Sequence, residues 1–149
     1  MRAFAIALSL LLSAAVATPS LAAKRKPAEK KTEEKKVEEK KFPTDGVWSL
    51  LEINGKGAPS DPPTLMIDSN LRGTGYAGCN TYSASAYPLR QQGFAVGPVA
   101  VTKRACDKSV MDFERSFLLA LRGARQWDLV EGRLVLKTAS GEIRFDRGI

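Results

Sequence analysis

The sequence predicts an α+β domain, a curved antiparallel sheet or partial barrel packed around one main α-helix. Short runs rich in Val, Ile, Leu, Tyr and Phe recur between Gly, Pro and Asn signals from residue 46 onward, which marks many short strands. Only residues 109–122 keep the 3.6-residue apolar period of an amphipathic helix. Many short strands and one helix in a single domain-sized stretch, residues 42–149, fit a sheet closed over that helix.

The elements follow in order. Residues 46–53 read as a strand around Trp48, and Asn54-Gly55 is a tight-turn signal. Pro59, Pro62 and Pro63 mark a loop before a strand at 64–68, and Ser69-Asn70 turns the chain into 72–78. Gly73, Gly75 and Gly78 in that stretch predict a sharp bend or close approach by a neighbouring backbone. Residues 82–89 and 94–101 form further strands, joined at Gln91-Gln92-Gly93. In the helix, Val110, Phe113, Phe117, Leu121 and Ala124 share one face, widened by Leu118, with Asp112, Glu114, Arg115 and Arg122 assigned to the other. Ser109 with Asp112 suggests an imperfect capping box, and Gly123 a stop. Strands at 126–130, 133–137 and 142–146 complete the chain, punctuated by Glu131-Gly132 and Ser140-Gly141. Trp48 and Trp127 are expected core anchors.

Ahead of this domain stand two segments of different composition. Met1-Arg2 and the apolar run 3–16 read as an export signal, with Ser20-Leu21-Ala22 placing small residues for cleavage after Ala22, or after Ala23. The run is short of the roughly 20 residues that span a bilayer, so no membrane-spanning segment is expected in the mature chain. Residues 23–41 then form a Lys/Glu-rich tether, with nine basic and five acidic side chains and only Ala28 and Val37 clearly apolar beyond Ala23. Such a segment cannot bury enough surface to offset its ordering entropy. It reads either as a solubilising spacer or as a basic tether weakly attracted to an anionic envelope surface. The chain carries +7 overall, most of it in the signal and tether, which leaves no nucleic-acid footprint on the domain.

Cys79 and Cys106 admit two readings. A thiol catalyst normally needs a base, usually His, and the chain contains none; the spacing is not that of a Cys-x-x-Cys pair. Export therefore favours a disulfide, while Lys103 and Arg104 beside Cys106 keep a thiol redox role open. Nearby, Asn80 suits a turn or offers its amide to a ligand. Thr102 suits a cap or a bridge to backbone, and Tyr82 and Tyr87 suit either core packing or a ligand surface. No carboxylate spacing, glycine loop or nucleophile elbow calls for a metal, a cofactor or catalysis.

Trp48-Ser49-Leu50 with Asn54-Gly55, then Gly75-Tyr76-Ala77-Gly78-Cys79-Asn80-Thr81-Tyr82-Ser83, Thr102 to Cys106, the helix from Met111-Asp112-Phe113-Glu114, and Gly132-Arg133-Leu134-Val135-Leu136 resemble the META/HslJ family. The sequence departs from the family pattern at Thr81, where a basic residue is common, at Ala84, where glycine is usual, and at Arg104, where an apolar residue is usual. The resemblance implies a small α+β envelope domain associated with heat-shock or antibiotic stress and without established catalysis. By analogy with secretin-pilot lipoproteins it also suggests a hydrophobic groove for lipid or peptide, and the expected partner is a hydrophobic ligand, a peptide or an envelope protein. The expected product is a monomeric periplasmic or secreted binding or stabilising module, with a thiol redox protein or a tether-borne adaptor as alternatives.

Overall fold

Alternating burial builds the first strand, β1 (Val47–Ile53): Trp48 and Leu50 turn inward while Val47 and Leu51 face solvent. A computed structural model describes residues 40–148, so the export signal and nearly all of the tether lie outside the described residues. At the end of β1, Asn54 and Gly55 take φ of 52° and 76°, the two positive values that a type I′ turn requires. They return the chain into β2 (Lys56–Gly57), too short to leave any alternation in the sequence.

The remaining elements are β3 (Thr64–Ile67), β4 (Arg72–Tyr76), β5 (Thr81–Pro88), β6 (Phe94–Val101), α1 (Lys108–Arg122), β7 (Ala124–Val130), β8 (Arg133–Thr138) and β9 (Gly141–Arg147). They form one antiparallel sheet in the order β6-β5-β4-β3-β1-β9-β8-β7, with β2 on β1. The sheet curls until its two edges approach: Gly93 bridges to Gln126, and the Gln92 amide donates to Asp128 at 2.8 Å. This is the curved sheet around one helix that the sequence predicts.

Two devices shape the curl. A Cβ on Gly75 would overlap the Thr64 carbonyl, so only glycine lets β3 and β4 run this close. Opposite Ala84 and Ala86 stand Val99 and Val96, so β6 carries one extra residue around Gly97 and Pro98. That bulge twists the strand, and a proline there suits an edge.

Helix α1 fills the curled sheet. Phe117 is fully buried, with its ring 5.9 Å from that of Tyr82 on β5 and 6.4 Å from that of Phe145 on β9. One side chain thus joins both limbs of the sheet. Burying a ring of this size stabilises the fold by roughly 1.5–3 kcal/mol. Trp48 and Trp127 are core residues, as expected.

Two expectations for the helix need correction. It begins at Lys108 with Asp107 at the N-cap, which places Ser109 inside the first turn where its hydroxyl makes no cap. Asp112 instead meets Lys108 at 2.5 Å and Arg115 at 3.6 Å. Glu114, assigned to the polar face, is buried.

The chain reaches β1 through a fastened segment. Phe42 packs against Phe94 and Trp127 at 5.9 and 5.0 Å between ring centroids, and Lys40 Nζ lies 2.6 Å from Asp128 Oδ1. The Lys40 ammonium, donating to it, holds the Asp128 carboxyl below the ordinary carboxylate range. A depressed folded value means that this stability is present above the unfolded value of about 3.9 and is lost as pH falls through the folded one. Lys40→Met is therefore expected to lower stability at neutral pH by roughly 0.2–1 kcal/mol. Thermal melts of both proteins should converge in strong acid, and a deficit that stays constant with pH would refute the assignment.

Candidate functional site

The turn between β4 and β5, residues 77–80, gathers most of the residues that the sequence singles out. Gly78 takes φ of 114°, a conformation that side-chain-bearing residues rarely adopt. It lets the chain reverse so that Ala77 N–H donates to Asn80 O at 2.8 Å. The reversal aims two consecutive amides, those of Cys79 and Asn80, at the helix.

Glu114 receives them. Its Oε2 accepts from Cys79 N at 3.2 Å and Asn80 N at 2.6 Å, and its Oε1 accepts from Asn80 Nδ2 at 3.0 Å. Hydrogen bonds from buried amides are what make a buried carboxylate tolerable. Sequence reasoning missed this residue, although its position carried a signal. Glu114 stands four residues after Val110, three before Phe117 and seven before Leu121, so it lies on the apolar face itself.

Asn80 uses its whole side chain inside the molecule. Its Oδ1 accepts from Thr102 Oγ1 at 2.8 Å and from Arg104 N at 2.7 Å. Its Nδ2 donates to Glu114 and, at 3.5 Å, to Arg104 O. Two donors and two acceptors are the full capacity of a carboxamide. Thr102 bridges back to β5, its Oγ1 accepting from Thr81 N at 3.2 Å. The structure thus brings Cys79, Asn80, Thr102 and Cys106 together. Cys79 and Cys106 are joined by a disulfide with Cα atoms 6.1 Å apart, tying the turn to the loop that leads into α1.

Tyr82 stands apart from this cluster, with its ring in the core and its hydroxyl donating to Thr64 O at 2.8 Å. Burial pushes its phenol up from the ordinary value. Tyr87, by contrast, is exposed. Among the described residues, no group of three or more His, Cys, Asp or Glu is placed to hold a metal ion, and no helix is long and apolar enough to cross a membrane.

Two open clefts flank the helix. One, of about 320 Å³, lies beside the disulfide turn and is lined by Pro59, Asp61, Gly78, Val110 and Phe113. The other, of about 340 Å³, runs between α1 and β6. Its helix side presents Met111, Arg115, Leu118 and Arg122 at i, i+4, i+7 and i+11, with Leu119 alongside, and its strand side presents Val99 and Val101. Leu119 is 61% exposed, the highest exposure of any large apolar side chain among the described residues.

Because Asn80 and Glu114 answer each other, their substitutions should not be additive. Asn80→Ala strands both groups of Arg104, and Glu114→Ala strands three donors, each change costing about 2–4 kcal/mol in urea unfolding. The double variant is expected to lose at least roughly 1 kcal/mol less than the sum. Strict additivity would mean that the network does not act as a unit.

The family model for the META domain matches residues 41–147. An NMR structure of a protein from Burkholderia xenovorans is similar at 23% identity, covering 70% of this chain and 83% of that one with a TM-score of 0.59. A second NMR structure, also 23% identical, covers 68% of this chain and 87% of its own with a TM-score of 0.56. At these identities the likeness extends to the fold alone. No curated protein matches at a significant level. The match over residues 41–147, on a curled sheet built around one helix, places the chain in the META domain family.

Proposed function

We propose that this META domain is an exported, non-enzymatic binding or stabilising module of the cell envelope, released by cleavage near Ala22 or Ala23. Residues 23–41 serve as its charged tether and the mature protein is a periplasmic or secreted monomer serving in envelope stress. Its binding site is the cleft between α1 and β6, and the occupant is an extended apolar segment of an envelope protein that carries acidic groups. The observation behind this reading is the composition of the cleft: exposed Leu119 and Met111 beside Val99 and Val101, rimmed by Arg122 and by Arg115, which also meets Asp112. The one carboxylate among the described lining residues, Glu114, is occupied by the Cys79 and Asn80 amides. Apolar floors with a few fixed polar groups are the usual make-up of binding clefts, and the two guanidiniums suit a partner's carboxylates.

The disulfide supports an oxidising location. It also weighs against the thiol redox alternative, since that role needs a free, accessible low-pKa sulfur, whereas Cys106 is bonded to Cys79 and Cys79 is buried. Protein purified from the periplasm and alkylated before and after reduction separates these readings. Two groups taken up only after reduction are expected, and ready alkylation without reductant would revive the redox role.

The cleft itself is tested with a photo-crosslinking residue at position 119 in the living envelope, and with anilinonaphthalene sulfonate as an anionic apolar probe in solution. Leu119→Asp should weaken probe binding about tenfold or more, given the apolar burial it removes. Arg122→Gln should weaken it less. A crosslinking yield at 119 no higher than at exposed Glu131, or probe binding indifferent to Leu119→Asp, would sink the cleft as the site.

A further inference from the structure

The end of the sheet where β5 turns into β6 carries a different kind of surface. Along β5, Ala84 and Ala86 face the core while Ser85 and Tyr87 face out, and the turn that follows presents Leu89. Tyr87 is 42% exposed and Leu89 53%. The neighbouring turn adds Leu71, at 37%, whose carbonyl accepts from Ala86 N at 2.9 Å. Three exposed apolar side chains thus stand together, Tyr87 at the end of β5 and Leu71 and Leu89 on the two adjacent turns.

Cations ring them. Lys41, Arg72 and Arg90 are exposed, and none makes an ion pair with another described residue. Lys41 and Arg90 border a cavity of about 360 Å³ whose walls include Phe42, Leu89 and Trp127. The Trp127 Nε1–H is buried and unpartnered among the described residues. Among the described residues, no carboxylate lines the cavity. Of the nearby acids, Asp128 is already engaged by Lys40 and by the Gln92 amide, Asp68 accepts from Asn70 N and Arg72 N, and Asp45 is exposed. The charged segment also joins the domain here, since Lys40 and Lys41 wall the same cavity.

We propose that this rim docks the domain on an anionic phospholipid surface. Leu71, Tyr87 and Leu89 enter the headgroup layer, and Lys41, Arg72 and Arg90 meet lipid phosphates. Leucine and tyrosine side chains flanked by Lys and Arg are the composition that favours a membrane interface. A single weak signal gives only marginal anchoring, so the basic residues of the tether and the apolar rim act together. The surface differs from the α1–β6 cleft and does not depend on the function assigned there.

The test uses the chain from residue 23 onward, floated with vesicles of phosphatidylcholine alone and of phosphatidylcholine mixed with phosphatidylglycerol. Binding is expected for the mixed vesicles only, and added salt should weaken it. Arg90→Gln and Lys41→Gln should each lower the partition coefficient about fivefold, and Leu89→Ser should lower it further in the triple variant. All three positions are exposed, so the melting temperature should stay put and report that the fold is intact. Equal binding to neutral vesicles overturns the proposal. So does a triple variant that binds like the parent while deletion of residues 24–39 abolishes binding, because the tether alone would then be the anchor. A loss caused by Leu119→Asp would move the lipid to the cleft and overturn the rim as its site.

Discussion

A carboxylate taken out of water has to be met by donors, and Glu114 is met by three. Two of them are consecutive backbone amides, a pairing that exists only because Gly78 turns the chain through a positive φ. A side-chain amide from Asn80 supplies the third. No Lys or Arg pairs with Glu114 among the described residues, so amide dipoles carry the whole compensation. The arrangement is unforgiving in a low-dielectric setting, because each unmet partner there costs the full desolvation of its group. It therefore fixes the helix against the sheet at one point and in one orientation.

Much of the fold leans on that point. The loop from Thr102 into α1 has no regular structure to satisfy its backbone, and its residues are exposed except for Cys106. Asn80 acts there as a one-residue substitute for a strand. Its carboxamide presents C=O and N–H side by side, as a peptide does, and engages both the N–H and the C=O of Arg104. The disulfide ties the same turn to the same loop. On the chain-entropy model, closing a loop of that length contributes about 3–4 kcal/mol, a large share of a typical net stability of 5–15 kcal/mol. With the loop and helix held, Phe117 is kept between Tyr82 and Phe145, and the two limbs of the curled sheet share one core. The cleft between α1 and β6 follows from the same geometry. The sheet edges meet only near Gly93 and Gln126, and the helix covers the remaining gap imperfectly.

What the sequence made legible was local. Asn54-Gly55 and Glu131-Gly132 declare turns because two adjacent positive φ values leave few residue choices, and both pairs adopt them. The glycines of β4 announce close approach, and Gly75 faces the Thr64 carbonyl. The alternation that marks β1 needs only neighbours in the chain. The Asn80 network, in contrast, joins residues 22 to 34 positions apart, and no periodicity encodes which of them converge. Glu114 shows the difference most sharply. A charge on the apolar stripe is a visible anomaly, but it reads as a stripe edge until the amides it serves are placed beside it. The capping box failed for a related reason: moving the N-cap two residues earlier, from Ser109 to Asp107, changes the role of every residue in the first turn.

Family motif and functional surface need not coincide in such a protein. The most recognisable residues, Gly78-Cys79-Asn80 and the Thr102–Cys106 pair, have their polar groups engaged with one another inside the molecule. The departures fall where the interior is indifferent or compensated. Thr81 and Arg104 are exposed, and Ala84 stands opposite Gly73 in the β4–β5 ladder, so a methyl is accommodated across from a residue without one. Recognition is then free to reside on side chains that no local rule demands. Leu119, Met111 and Arg122 in the cleft, and Leu89 and Arg90 on the rim, contribute little to holding the fold together. Large apolar groups left in water cost solubility without stabilising anything, so their grouping beside unpaired cations is better explained by what they meet than by how the chain folds.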